Sequence, residues 1–301
     1  MTLLRSRLAP TPSGCLHEGN AFSFVLTWLL TRSEGGFLHL RIDDLDSDRS
    51  RPEYIDDIFE TLEWLGLDYD SGPRSVEDFV QHWSQYRRID AYNQALERLR
   101  EQDCLFVCEC SRSTPNAFLE NGVYAGLCRR KNLPFSQQQA AWRFRSELSN
   151  EAVFTEMGQG KRSFNVAEMM GDVILRRKDG IPAYQIASLV DDVFDNITFI
   201  VRGNDLLPST AVQCALAEKL GFTGFLNGTF LHHLLLRDES AQKLSKSKGA
   251  RSLRAWREKG TPPHSIYRAV AEYCGIAEQN VKENISTAQE LLAEYQALRA
   301  V

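Results

Sequence analysis

The residue types best suited to chemistry fall in two segments far apart in the chain. One is Pro10-Thr11-Pro12-Ser13-Gly14-Cys15-Leu16-His17-Glu18-Gly19-Asn20; the other is Lys243-Leu244-Ser245-Lys246-Ser247. The first sets His17 and Gly19 where a Pro/Gly loop turns into a helix, so that backbone N–H groups and the positive helix end can face phosphate. The second carries Lys243 and Lys246 on a short polar stretch, suited to neutralising charge on a departing pyrophosphate. A lone His-x-Gly usually caps a helix, and a lone Lys-x-Ser-Lys-Ser is usually a solvated loop. In this order, with strand and helix patterns between them, they point together to nucleotide activation.

The elements that must position these groups are legible from periodicity. Arg5 to Ala9 reads as a short strand entering the Pro/Gly loop, and Ala21, Val25, Trp28 with Phe22, Leu26, Leu29 give helical spacing after it. Phe37 to Ile42 alternates as a strand ending at Asp43, Asp44 and Asp46. A helix follows with Ser50 as its cap, Pro52 in the first turn and Gly66 as its stop; Ile89, Tyr92, Leu96 and Leu99 mark another. Val173 to Arg177 and Ile197 to Val201 read as strands, Ser209 as the cap of a helix stopped by Gly221, and the chain after Lys248 as a helical tail broken at Pro262-Pro263. These alternations predict an α/β fold with a parallel sheet. Between Cys108 and Val166 the periodicity weakens, so an inserted small fold is expected there.

Ligands gather at the carboxyl ends of strands in such folds. Three strand ends are polar here: the loop after Ala9, the cluster after Ile42, and Arg202-Gly203-Asn204-Asp205. Arg7 and Arg202 are placed to grip a carboxylate by a bidentate fork, which suits an acidic amino acid. Cys108, Cys110 and Cys128 supply three soft ligands where a structural Zn²⁺ takes four. With no histidine nearby, the fourth donor is Cys104, Tyr124, a carboxylate or water. An extended chain would hold Cys104 roughly 13 Å from Cys108, which favours Tyr124 of the two.

Composition bounds the rest. At 301 residues, 43% hydrophobic and 25% charged, the chain can bury a full α/β core. A net charge of −5 disfavours a general polyanion binder. A nucleic acid would meet local patches such as Arg129-Arg130-Lys131, Arg176-Arg177-Lys178 or the run from Lys243 to Arg257. The apolar stretch Phe22 to Leu30 is too short to span a bilayer, and seven cysteines fit a reduced compartment, so a cytoplasmic protein is expected.

The runs Arg7 to Asn20, Arg41-Ile42-Asp43-Asp44-Leu45-Asp46, Trp64-Leu65-Gly66-Leu67-Asp68, Val201 to Asp205 and Lys243 to Ser247 together resemble class I glutamyl-tRNA synthetases. The Cys-x-Cys…Tyr-x₃-Cys pattern and the length resemble the short glutamyl-queuosine tRNA(Asp) synthetases among them. The resemblance implies a Rossmann-type catalytic domain over 1–107 and 167–250, an inserted zinc-bearing subdomain over 108–166 and a helical segment over 251–301. It implies ATP-dependent activation of L-glutamate and transfer to the queuosine base at the first anticodon position of tRNA(Asp), with Mg²⁺ accompanying ATP. Arg7, Ala9, Thr11, Asp43, Tyr184 and Arg202 would bind glutamate. His17, Gly19, Asn20 and Lys246 would meet ATP; His17, Gly19, Lys243 and Lys246 would serve catalysis. Cys108, Cys110, Tyr124 and Cys128 would ligate zinc. Asp43 stands where the family usually has glutamate, Thr11 where serine is usual, and Glu18 and Asn20 alter the usual His-x-Gly-His form. The expected partner is the anticodon stem-loop, met by a monomer with no membrane association. The competing expectations are a short synthetase charging an ordinary tRNA 3′ end, and a silent ATP- or glutamate-binding regulator. The roughly fifty residues after Gly249 leave no room for an anticodon reader as large as those of full synthetases, which counts against the short 3′-end synthetase, and the retention of His17, Gly19, Lys243 and Lys246 counts against the regulator.

Overall fold

The computed structural model describes residues 3–46, 48–111, 113–117, 122–148, 151–234, 252–276 and 285–300. It divides into two units, Met1–Ser84 with Phe199–Asn204 and Leu231–Val301, and Gln85–Thr198 with Asp205–Phe230.

In the first unit, strands Arg5–Leu8 and Phe37–Leu40 pair in parallel, with Arg7 opposite His39, and the helix Glu18–Ser33 crosses between them. The sequence shows two apolar stripes on this helix, and both are buried: Ala21, Phe22, Val25, Leu26, Trp28 and Leu29 are all inside. A helix apolar on most of its circumference must be covered on several sides. The strand Phe199–Gly203 and the helices His264–Tyr273 and Ala288–Arg299 supply that cover. The helix Pro52–Trp64 is capped one residue later than expected. Arg51, not Ser50, holds the extended N-cap position, because Pro52 occupies the first turn, where its missing N–H is harmless.

The second unit carries an antiparallel sheet of Leu105–Cys108, Ala141–Phe144 and Ile174–Arg176, and a hairpin of Glu151–Glu156 with Gly160–Asn165. The strand expected near Val173 therefore forms, but in antiparallel company. Three helices, Ile89–Glu101, Tyr184–Phe194 and Leu207–Leu220, pack together. The last starts before Ser209, again with a proline in its first turn, so Ser209 sits inside the helix and its hydroxyl accepts from Gln185. It ends at Gly221, whose left-handed backbone (φ 71°, ψ 28°) is the conformation that favours glycine. Among the described residues no helix is long and apolar enough to cross a membrane.

Candidate active site and candidate metal centre

Arg7 and Arg202 hold the penultimate positions of strands Arg5–Leu8 and Phe199–Gly203, and both are buried, at 5% and 4% exposure. The Arg7 Nη1 donates to the Val201 carbonyl oxygen at 3.4 Å, so one guanidinium reaches the residue beside the other. Burying a guanidinium costs free energy unless polar or charged partners answer it.

The loop between these strand ends and the first helix is tied down by its backbone. Asp43 N–H donates to the Pro10 carbonyl at 2.9 Å, Ser13 N–H to Thr11 at 2.9 Å and Arg51 N–H to Pro12 at 3.3 Å. Ala9 is half-buried in this loop and Thr11 exposed. Asp43 is buried, and its two carboxylate oxygens accept from Arg41 Nε at 2.6 Å and Nη2 at 3.3 Å. The three aspartates after Ile42 thus have separate partners: Asp44 accepts from the Ser84 hydroxyl at 2.6 Å, and Asp46 pairs with Arg49 at 2.7 Å.

His17 is the extended N-cap of the helix Glu18–Ser33. The Asn20 side chain accepts the His17 backbone N–H at 3.0 Å, so Asn20 serves the helix start itself. A Cβ at Gly19 would lie 3.1 Å from the His17 ring, a tight contact that would press on the imidazole. His17 also pairs antiparallel with Ser252, and Leu253 N–H donates to the Leu16 carbonyl at 2.9 Å.

Sequence reasoning missed Asp57. It is wholly buried and accepts from Leu16 N–H at 3.2 Å, Arg254 Nε at 3.2 Å and Arg257 Nη2 at 2.7 Å. One carboxylate therefore pins the residue preceding His17 to the helix Leu253–Glu258. The available signal was the i, i+3 spacing of Arg254 and Arg257, which reads as a basic patch but is spent internally. The same holds elsewhere: Arg129 pairs with Asp172 and Glu147, each at 2.7 Å, Lys131 with Glu109 at 2.8 Å and Arg177 with Asp179 at 2.6 Å.

Lys243 and Lys246 lie outside the described residues; Ser252, six positions after Lys246, is the described residue that meets His17. Tyr184 opens the helix Tyr184–Phe194 in the second unit and is 40% exposed.

In the second unit the thiols of Cys108, Cys110 and Cys128 lie within 4.8 Å of one another, all buried. Cys110 and Cys128 are 3.5 Å apart, near the roughly 3.8 Å between sulfurs that share a tetrahedral Zn²⁺ at about 2.3 Å each. The Tyr124 hydroxyl accepts from Cys108 Sγ at 3.4 Å, lies 3.7 Å from Cys110 Sγ and accepts the Cys128 backbone N–H at 2.9 Å. Cys104 is buried but turned away, its thiol donating to the Gln102 carbonyl at 3.6 Å. Three converging thiols with a phenol oxygen make a donor set that fits a tetrahedral metal ion. Burial pushes the Cys110 thiol up to about 11. Burial also raises Tyr124, with the bond to Cys108 adding to it. Cys128 moves the other way: burial opposes ionisation there, but hydrogen bonds from Tyr124, the Glu109 backbone and the other thiols outweigh it.

The family described as tRNA synthetases class I (E and Q), catalytic domain, matches residues 3–300. A glutamate–tRNA ligase of Oleidesulfovibrio alaskensis is 35% identical over 273 residues, covering 88% of this chain and 56% of the relative. The chain thus spans just over half the length of that ligase. A glutamyl-Q tRNA(Asp) synthetase of Nitratidesulfovibrio vulgaris is 35% identical over 293 residues, covering 91% of this chain and 87% of the relative. The crystal structure of a glutamate–tRNA synthetase from Elizabethkingia anophelis superposes with a TM-score of 0.75 at 26% identity, covering 96% of this chain and 65% of that one. With its strand-end arginines, its His-x-Gly helix start and its parallel strands, the chain belongs to the catalytic-domain family of class I tRNA synthetases for E and Q.

Proposed function

We propose that the chain activates L-glutamate with ATP to glutamyl-adenylate and passes the glutamyl group to the queuosine base at the first anticodon position of tRNA(Asp). The observation that carries the first half is the pair of buried guanidiniums, Arg7 and Arg202, at the ends of neighbouring strands in the unit whose helix starts at His17. A glutamate side chain is an anion that a pair of guanidiniums can grip by charge-assisted hydrogen bonds. Each charge-assisted hydrogen bond would contribute about 1.5–3 kcal/mol, a factor of roughly 10–150 over a neutral amide.

The glutamate α-carboxylate attacks the α-phosphorus in line; the new oxygen–phosphorus bond forms as the bond to pyrophosphate breaks, so positioning and cationic stabilisation do the catalytic work. His17, Gly19 and the N–H groups of the first helical turn face the phosphates, and Lys243 and Lys246 take the pyrophosphate side, with Mg²⁺ bound to ATP. Asp43 and Tyr184 orient the substrate ammonium, and Ala9 and Thr11 line the same pocket. Because Arg41 already occupies both oxygens of Asp43, the ammonium shares that carboxylate with an internal cation. A hydroxyl of the modified base then attacks the mixed anhydride, releasing AMP.

Cys108, Cys110, Cys128 and Tyr124 hold a structural zinc, which cross-links the loop that bears them. The tRNA(Asp) half of the reading is supported by glutamyl-Q tRNA(Asp) synthetases at 35–37% identity that this chain matches over most of both lengths. The protein acts as a cytoplasmic monomer. A second reading, esterification of an ordinary tRNA 3′ end, is favoured by the glutamate–tRNA ligases of similar identity.

One experiment separates them. Labelled glutamate and ATP are incubated with tRNA(Asp) that contains or lacks queuosine, and the 3′ end is then trimmed. Label that needs queuosine and survives trimming supports the proposal; label lost with the terminus overturns it in favour of the ligase. Absence of glutamate-dependent pyrophosphate exchange overturns both.

A further inference from the structure

Arg143 lies in the strand Ala141–Phe144 and is 5% exposed. Its Nη1 donates to the Asp172 backbone carbonyl at 2.6 Å, and its guanidinium carbon sits 3.9 Å from the centroid of the Tyr124 ring. Its Nε is buried and finds no hydrogen-bond partner among the described residues. The nearby Asp172 carboxylate is already taken: one oxygen accepts from Ser146 N–H and Oγ at 3.0 and 2.8 Å, the other from Arg129 at 2.7 and 2.9 Å. Among the described residues, then, this buried cation meets a carbonyl and an aromatic face but no carboxylate within ion-pair distance.

A permanent buried charge with only neutral partners is costly, and the face of one phenol ring offsets little of that cost. The ring it covers is the informative part. Tyr124 carries its hydroxyl into the Cys108, Cys110 and Cys128 cluster. A divalent ion held by three thiolates carries a net charge of −1, and by three thiolates and a phenolate −2, so a loaded centre would place the missing anion at the hydroxyl end of that ring. We infer that Arg143 is the counter-cation and positioning residue of the metal centre, holding the Tyr124 ring in place and offsetting the negative charge of the ligand set. The inference rests on the metal reading given above and adds to it a residue that touches no metal. It also gives the backbone link a purpose: Asp172, which holds Arg143 through its carbonyl, holds Arg129 through its carboxylate, and Arg129 follows the ligand Cys128 directly. Such outer residues fix ligand orientation, and losing one typically lowers metal affinity about 10- to 100-fold.

The test compares the full-length chain with Arg143→Met and Arg143→Lys, using zinc alone as the probe. Zinc affinity is measured by competition with a coloured chelator, and thermal unfolding is followed for zinc-loaded and chelator-stripped protein. Arg143→Met should bind zinc about 10- to 100-fold more weakly, and Arg143→Lys, which keeps the charge but not the flat stacking, should fall between. Stripped Arg143→Met should be at least as thermostable as stripped wild type, because the uncompensated cation is gone, while the loaded variant should be less stable than loaded wild type. Cobalt-loaded variants should keep the thiolate-to-cobalt absorption band, with the three thiols still coordinating. Wild-type zinc affinity in both variants overturns the inference alone. Equal loss of stability in loaded and stripped Arg143→Met also overturns it, since that is the mark of lost packing. If Arg143→Met does not fold, the Arg143→Lys affinity decides. A wild-type chain that takes up no zinc overturns the inference together with the metal reading.

Discussion

The strand-end corner of the first unit and the cysteine cluster of the second both bury polar groups, but they neutralise them by different means. Around Asp43 and Asp57 the chain supplies both signs of charge itself: Arg41 against Asp43, and Arg254 with Arg257 against Asp57. Around Cys128 it supplies donors packed against Phe106 and Ala117, with Arg143 as the buried cation behind them. The first arrangement is complete as folded protein. The second is a cluster of three buried thiols and a phenol oxygen, a donor set that fits a metal ion.

Metal removal should break this comparison most sharply. Structural zinc contributes on the order of 10 kcal/mol in small metal-dependent folds. Chelation, or Cys128→Ser, should therefore strip amide-exchange protection from Leu105–Cys108 and Ala141–Phe144 while leaving Arg5–Leu8 and Phe37–Leu40 protected; uniform loss across both units would erase the distinction. Asp57→Ala should come next, lowering stability in denaturant by roughly 1–3 kcal/mol because Leu16 N–H and two half-buried arginines lose their acceptor. Asp57→Asn keeps an acceptor for Leu16 N–H and should cost less; equal losses would mean that charge is not what matters there. Arg202→Gln should leave stability nearly unchanged and lower kcat/KM for glutamate in pyrophosphate exchange by about 10- to 150-fold. An unchanged constant would remove Arg202 from the pocket.

The smallest effect concerns the helix Ala288–Arg299, whose capping box joins Thr287 and Glu290. Thr287→Ala should cost about 1 kcal/mol. Hydrogen bonds from Ser286 and Thr287 hold the Glu290 carboxyl down at about 2. Its contribution is therefore full above the unfolded value of about 4.3 and is lost as pH falls towards 2. Amide exchange in that helix, followed against pH, should show protection falling across this window in the wild type and a flatter profile in Glu290→Gln.

The strand ends of the first unit were legible because alternating apolar residues give way to Arg202 in one strand and to three aspartates after Ile42 in another. The loop, the helix from His17 and the stop at Gly221 were readable for similar local reasons, since proline, glycine and apolar spacing act within a few residues. The caps at Ser50 and Ser209 misled because a proline in the first turn starts a helix without a serine. The antiparallel setting of Ile174–Arg176 was hidden because a three-residue strand carries no mark of its neighbours' direction.

The sequence by itself determined the residue types: which cysteines stand close together along the chain, which arginines stand at strand ends, and where the chain must turn. Only the tertiary structure decided which charges cancel within the protein. Asp57 meets Arg254 and Arg257 from far along the chain, and Arg143 reaches the face of Tyr124 from another strand. Pairing of that kind depends on distance in space, and a basic run answered by a buried carboxylate reads the same in sequence as one left for a ligand.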